Sequence, residues 1–194
     1  DHGAHWELMT RDLPLTSVYS VAIHPLDSDR VFVGSGSGQL WRTTDGGLTW
    51  EECGNSTFQG ADRWYRDVIF APVVDGEEPQ LFAATNYGLF RSENDGETMI
   101  QVSSGEYMEL AFHPTDPSIC YTIQLLGEST VFKRSTDGGV SFATGASGWP
   151  SVGIDDGQRR CELAVTPADP DRLVVLAAGS TPDGGGLYGM YQSY

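Results

Sequence analysis

An all-β chain of repeated four-stranded antiparallel sheets is the fold class this sequence predicts, and three observations predict it. A charged, glycine-rich turn recurs: RTTDGGLTWEE at Arg42–Glu52, RSENDGETMIQ at Arg91–Gln101 and RSTDGGVSFAT at Arg134–Thr144. An apolar run closed by proline recurs in step with it, as VAIHP (Val21–Pro25), VIFAP (Val68–Pro72), LAFHP (Leu110–Pro114) and LAVTP (Leu163–Pro167). Both landmarks repeat at spacings of about 42 to 53 residues, the period of a repeat architecture. The intervening runs are short and rich in Val, Ile, Phe and Tyr, with Gly, Pro and Asp between them and no useful amphipathic helical stretch.

Each unit then reads as four strands in order. The proline-ended run comes first, and its near-continuous apolarity predicts an innermost strand covered on both faces. Asp-containing turns such as LDSD, TDPS and ADPD follow, then RVFVGSG, QLFAATN, ICYTIQL or RLVVLAAGS. Next comes QLWRT, GLFRS, VFKRS or GMYQS, leading into the charged turn and a short outer strand. Four strands in 40 to 50 residues is the pattern of a β-propeller blade, which buries its faces only against neighbouring blades. The expected division is the outer strand of a preceding blade over 1–17, blades over 18–53, 64–104 and 107–144, and an incomplete blade over 160–194. DHGAHW shares its spacing with DGGLTW, so the chain reads as a segment of a larger ring. The alternative is a ring closed by pairing across the termini.

The turns resemble the Asp-box, or bacterial neuraminidase repeat, of sialidases, sortilin-type receptors, xyloglucan-active hydrolases and photosystem II assembly factors. TTDGGLTW and STDGGVSF match well, whereas SENDGETM departs, with Asn94 inserted before the aspartate and Met99 replacing the aromatic. The resemblance implies a structural role for Asp1, Gly3, Trp6, Thr43, Asp45, Gly47, Trp50, Asp95, Gly96, Ser135, Asp137, Gly139, Phe142 and Ser193. The aspartates can accept hydrogen bonds from their own turn, and the glycines permit positive φ. Trp6, Trp50 and Phe142 are expected to wedge between blades. One carboxylate per blade is the signature of a fastening and not of a catalytic pair.

Function is expected in loops that differ between repeats. The two long ones place Arg63, Trp64, Tyr65 and Arg66 in GNSTFQGADRWYRD, and Trp149, Asp155, Asp156, Arg159 and Arg160 in GASGWPSVGIDDGQRR. Tyr87 joins them from TNYG. Aromatic planes can stack on sugars or apolar side chains, and guanidinium groups can clamp carboxylates. Equally, Trp64 and Trp149 can plug the gap above the inner strands. Asp155 with Asp156, or Asp62 with Asp67, could supply the carboxylate pair of a glycosidase, but no Arg-Ile-Pro motif or arginine triad accompanies them. His24 and His113 share one repeat position, which favours a structural cap over a metal site.

Composition narrows the classes. The 194 residues carry 11 Lys+Arg against 27 Asp+Glu, a net charge of −16, which disfavours nucleic acid and anionic membranes as partners. No apolar run is long enough to insert in a bilayer. Cys53, Cys120 and Cys161 lack zinc spacing and read as small core residues, with one disulfide plus a free thiol as the alternative. No cofactor is expected beyond adventitious calcium at an Asp-rich turn. The resulting expectation is a non-catalytic binding or scaffold module, extracellular or at the cell surface. Its partners are a glycan or protein and the remaining blades of its own propeller. The alternatives are part of a glycoside hydrolase and an assembly factor for a membrane complex.

Overall fold

A computed structural model of the chain describes residues 4–9, 13–15, 17–54, 63–74, 76–127, 129–145, 148–149, 158–179 and 186–193. Among them there is no helix. Blade 1 comprises β1 (Val18–His24), β2 (Asp27–Ser35), β3 (Leu40–Thr43) and β4 (Glu51–Cys53), hydrogen-bonded in that order. Blade 2 is β5 (Tyr65–Phe70), β6 (Leu81–Thr85), β7 (Gly88–Ser92) and β8 (Ile100–Ser104). Blade 3 is β9 (Glu106–Phe112), β10 (Cys120–Leu126), β11 (Ser129–Ser135) and β12 (Ala143–Thr144). Blade 4 has three strands, β13 (Gln158–Thr166), β14 (Asp169–Gly179) and β15 (Gly186–Gln192). All pairs are antiparallel. The first strands neighbour one another in sequence, β1 beside β5, β5 beside β9 and β9 beside β13, so the blades fan about a common axis as a propeller segment.

The core lies between blades. Ala22, Phe32 and Leu40 of blade 1 meet Val68, Leu81 and Phe90 of blade 2. Phe82 and Leu89 of blade 2 meet Leu110 and Phe112 of blade 3, and Tyr121 and Ile123 of blade 3 meet Leu163 and Val175 of blade 4. Burial on both faces belongs to the second strand, contrary to the expectation for the first. Within blade 2 every residue of β6 is buried, whereas Arg66, Asp67, Ile69 and Phe70 of β5 are half-buried. A second strand has a sheet neighbour on each edge and a blade on each face, while a first strand keeps one edge free toward the axis.

The outer turns repeat one hydrogen-bond set. Thr43 donates its hydroxyl to Asp45 Oδ1 at 2.7 Å and accepts the Gly47 N–H at 2.9 Å. Asp45 accepts the N–H of Thr49 at 2.9 Å and its hydroxyl at 2.6 Å. Ser135, Asp137, Gly139 and Ser141 reproduce these four bonds at 2.6, 2.9, 2.9 and 2.5 Å. In the middle turn the acceptor is Asn94, which takes the Ser92 hydroxyl and the N–H and hydroxyl of Thr98 at 3.0, 3.0 and 3.1 Å. Asn94 is therefore the aspartate equivalent and not an insertion, which corrects the role expected for Asp95.

Asp95 stands instead where the other turns have Gly46 and Gly138, at φ 57° against 69° and 70°. Aspartate tolerates this left-handed conformation better than most residues. Here it also gains partners from blade 1: Arg42 donates to the Asp95 carbonyl at 2.7 Å and to Oδ2 at 3.2 Å, and Arg30 lies 3.4 Å from Oδ1. The next position is glycine for want of room, since a Cβ on Gly96 would meet Phe32 at 2.7 Å and one on Gly139 would meet Phe82 at 2.6 Å.

The wedge is filled differently from expectation. Met99 is buried, while Trp50 and Phe142 are half-buried, and the Trp50 indole donates to the Met9 carbonyl at 3.3 Å. Trp6 is 86% exposed and so is not buried between blades. Residues 4–9 and 13–15 form no strand, in contrast to the outer strand expected over 1–17. Asp1 and Gly3 lie outside the described residues. Ser193 accepts the Leu173 N–H at 3.0 Å.

Candidate binding face at the axis

The residue preceding each proline-ended run, namely Ser20, Asp67, Glu109 and Glu162, forms a column along the inner strands. Its first three members each accept an N–H from the next blade. Val68 donates to Ser20 Oγ at 2.8 Å, Leu110 to Asp67 Oδ2 at 3.1 Å and Leu163 to Glu109 Oε2 at 2.9 Å. A first strand has no partner on its axial edge, so these N–H groups would otherwise be unpaired at a seam. Sequence reading missed the column because its residue type changes from blade to blade. The signal was present only in alignment of the runs.

Burial sets the protonation of these acids. Removal from water pushes the Glu109 carboxyl up to about 8, and the negative charge of Glu162 adds to the effect. Burial also raises Asp67, although the Leu110 N–H and Ser20 hydroxyl oppose it. Asp67 is thus tied into the seams on both sides of blade 2.

Just above the column, the beginnings of the inner strands carry most of the expected loop residues. Arg63 sits over the Tyr87 ring at 4.0 Å and Arg66 over Trp64 at 5.7 Å. Cation–ring contacts of this kind fix flexible guanidinium groups in place. The backbone of Trp64 is tied to the β6–β7 turn, its main-chain N–H donating to Asn86 Oδ1 at 3.0 Å. Arg66 pairs with Glu106 across the blade 2–blade 3 seam, and Arg160 donates to Glu162 at 2.6 Å. Arg66 and Arg160 line one cavity of about 340 Å³ with Tyr19, Met108 and Glu162. Both guanidinium groups of the cavity have a carboxylate, and the mouth offers aromatic planes beside directed donors.

Two expected site residues belong to the core. Tyr65 is 2% exposed and packs between blades 1 and 2. Trp149 is a plug: its indole donates to the Thr130 carbonyl at 3.0 Å, and its ring lies 5.5 Å from Phe132 and 6.4 Å from Tyr191. Asp155, Asp156 and the side chain of Arg159 lie outside the described residues, as does Asp62.

The histidines serve as caps. His24 Nδ1 accepts the Leu26 N–H at 3.3 Å, and His113 Nδ1 accepts the Asp116 N–H at 3.0 Å. Among the described residues, no group of three or more His, Cys, Asp or Glu is arranged to hold a metal ion. Cys53, Cys120 and Cys161 are buried free thiols whose ionisation burial opposes.

No protein-family model matches the chain, and no curated protein matches it in sequence. Solved structures do match in fold. The chain is similar to the GH74 enzyme of Niastella koreensis, with TM-score 0.63 and 19% identity, over 91% of this chain and 28% of that one. Against the GH74 xyloglucanase of Xanthomonas campestris the values are 0.65 and 16%, over 93% and 29%. Against YCF48 bound to a D1 peptide they are 0.58 and 15%, over 90% and 55%. The chain thus spans under a third of the two enzymes. At such identities the likeness establishes a β-propeller fold, and the geometry above is what remains to argue function.

Proposed function

We propose that this propeller segment is a non-catalytic binding module of an exported protein, taking a glycan or a peptide segment of a partner protein at the axial mouth. The observation that carries the reading is the convergence of Arg63, Trp64, Arg66 and Tyr87 on one face, each held by a ring contact or hydrogen bond. Pre-set aromatic and guanidinium groups lower the ordering cost of binding. The recurring hydroxyl–carboxylate turns support reading the repeats as Asp-boxes, and the acidity is compatible with an extracellular setting. That YCF48 is solved with a D1 peptide makes peptides a natural first ligand class to screen.

The rival is a hydrolase fragment, for which the proton on Glu109 beside Glu162 would be the argument. Both acids occupy the seam column, however, and Glu109 already accepts a backbone N–H. The reading is tested by glycan and peptide arrays with the parent chain and a Trp64→Ala/Tyr87→Ala variant. Binding lost in the variant supports it. Binding retained removes this face from the account, and release of reducing sugar by the parent chain favours the hydrolase.

A further inference from the structure

Blade 2 departs from its neighbours at the far end of its inner strand, away from Trp64 and Tyr87. The inner strands of blades 1 and 3 run into His24 and His113, both buried, and the matching residue of blade 2 is Ala71. Each imidazole fills a seam. The His24 ring lies 4.9 Å from Phe70 of blade 2 with its Nε2 3.6 Å from Glu78, and His113 Nε2 lies 3.9 Å from Asp171 of blade 4. Between blades 2 and 3 the alanine supplies no ring. A cavity of about 260 Å³ opens there, with Ala71 on one side and Pro117, Ser118 and Gly138 of blade 3 on the other.

The connection after Ala71 is also longer. Leu81 is nine positions beyond Pro72, whereas Val31 and Cys120 are six beyond Pro25 and Pro114. The longer connection brings Glu77, Glu78 and Pro79 to the cavity. Its walls are set in advance: Pro72, Pro79 and Pro117 have no side-chain freedom to lose. The Ala71 N–H donates to the Gln80 carbonyl and the Gly138 N–H to the Ser118 carbonyl, both at 2.8 Å. Glu77 and Glu78 are exposed, and Asp137, whose own turn holds its carboxyl down at about 2, adds a third negative charge. The neighbouring Arg91 is committed to Glu93 at 2.8 Å. The volume falls below the roughly 300–1,000 Å³ of sites for whole small molecules, and suits one side chain.

We propose that this seam takes a basic side chain, arginine or lysine, from an extended segment of a partner protein, its alkyl stem against the prolines and its cationic head on Glu77 and Glu78. The partner then provides at the blade 2–blade 3 seam what His24 and His113 provide at the seams on either side, a nitrogen-bearing side chain set against an acid. A chain at −16 attracts such a segment, and added salt weakens the attraction. The site lies at the opposite end of the blades from the axial mouth and does not depend on it.

An NMR titration of the 194-residue chain with acetyl-Gly-Arg-Gly-amide tests this. Saturable shifts are expected at the amides of Ala71, Ser118 and Gly138, smaller at high salt, and absent with the neutral citrulline analogue. Ala71→His, which refills the space from within, abolishes them. Glu77→Gln/Glu78→Gln, at two exposed positions where folding is not at stake, weakens binding by about three-fold or more. Trp64→Ala/Tyr87→Ala leaves the titration unchanged, so the two sites stand or fall separately. The proposal is overturned by the lack of a saturable shift at tens of millimolar peptide, or by an equal response to citrulline. Parent-like binding in the double glutamine variant overturns it too, as does parent-like binding in Ala71→His. If Ala71→His melts early, the glutamine variant alone decides.

Discussion

Carboxylates at the rim and at the axis of this molecule belong to the same residue class and behave in opposite ways. At the rim, Asp45 and Asp137 collect hydrogen bonds from their own turns, chiefly from Thr49 and Ser135, and these hold the carboxyls down at about 2. At the axis, burial outweighs such bonds, so Asp67 is raised and Glu109 reaches about 8. Rim acids close a loop of four or five residues in water. Axial acids close a seam between residues 43 or 54 positions apart, away from water. The lesson is a division of labour: rim turns stiffen single blades, and the axial column joins one blade to the next.

The largest expected effect concerns the rim turn that is ion-paired across a seam. Arg42 is 10% exposed and holds Asp95, Glu51 and Glu97 together. Arg42→Ala deletes the guanidinium that the three acids share, leaving Asp95 with Arg30, and is expected to cost about 3 kcal/mol in chemical denaturation. A loss within experimental error would show that this turn is as self-contained as the others. Asp67→Ala comes next, at about 2 kcal/mol, because the Leu110 N–H loses its acceptor at a buried seam. Thr43→Ala, which deletes bonds inside a single rim turn, is expected to cost about 1 kcal/mol. Equal losses for Asp67→Ala and Thr43→Ala would break the contrast.

The pH dependence sharpens the comparison, because the two regions act at opposite ends of the scale. Glu109 holds a proton in the folded chain that the unfolded chain releases near 4.5. Its contribution is therefore full below about 4.5 and is lost as pH rises through about 8. Asp45 and Asp137 contribute above their ordinary 3.8, and that contribution is lost as pH falls toward about 2. Melting temperature should thus decline between pH 5 and 8 in the parent, and Glu109→Gln should flatten that decline. An unchanged slope in Glu109→Gln would assign the decline to other groups. The smallest effect is Asn94→Asp, which restores the carboxylate of the other turns and should shift stability by less than about 0.5 kcal/mol.

The fold was legible because its punctuation is local. A turn that needs Thr or Ser, an acceptor, two left-handed positions and a second hydroxyl leaves a spaced signature in any sequence. The middle turn misled because letters were matched and not hydrogen-bond roles: an amide can accept as a carboxylate does, so Asn94 is the equivalent and Asp95 a recruited ion-pair partner. The axial column was hidden for a related reason, since Ser20, Asp67 and Glu109 share a task that any short acceptor performs. Tyr65 and Trp149 sit in loops by sequence and in the core by packing, and only the neighbouring blade decides which. Arg63, Trp64, Arg66 and Tyr87 stood out in loops that differ between repeats, but which guanidinium meets which ring is decided by the folded strands and not by the order of letters.

The most direct measurement is a side-chain carboxyl titration by NMR, following Asp45, Asp137 and Glu109 in one sample. The account predicts midpoints near 2 for the two aspartates and near 8 for the glutamate. A Glu109 midpoint in the ordinary range around 4.5 would contradict it, because the seam would then be open to water.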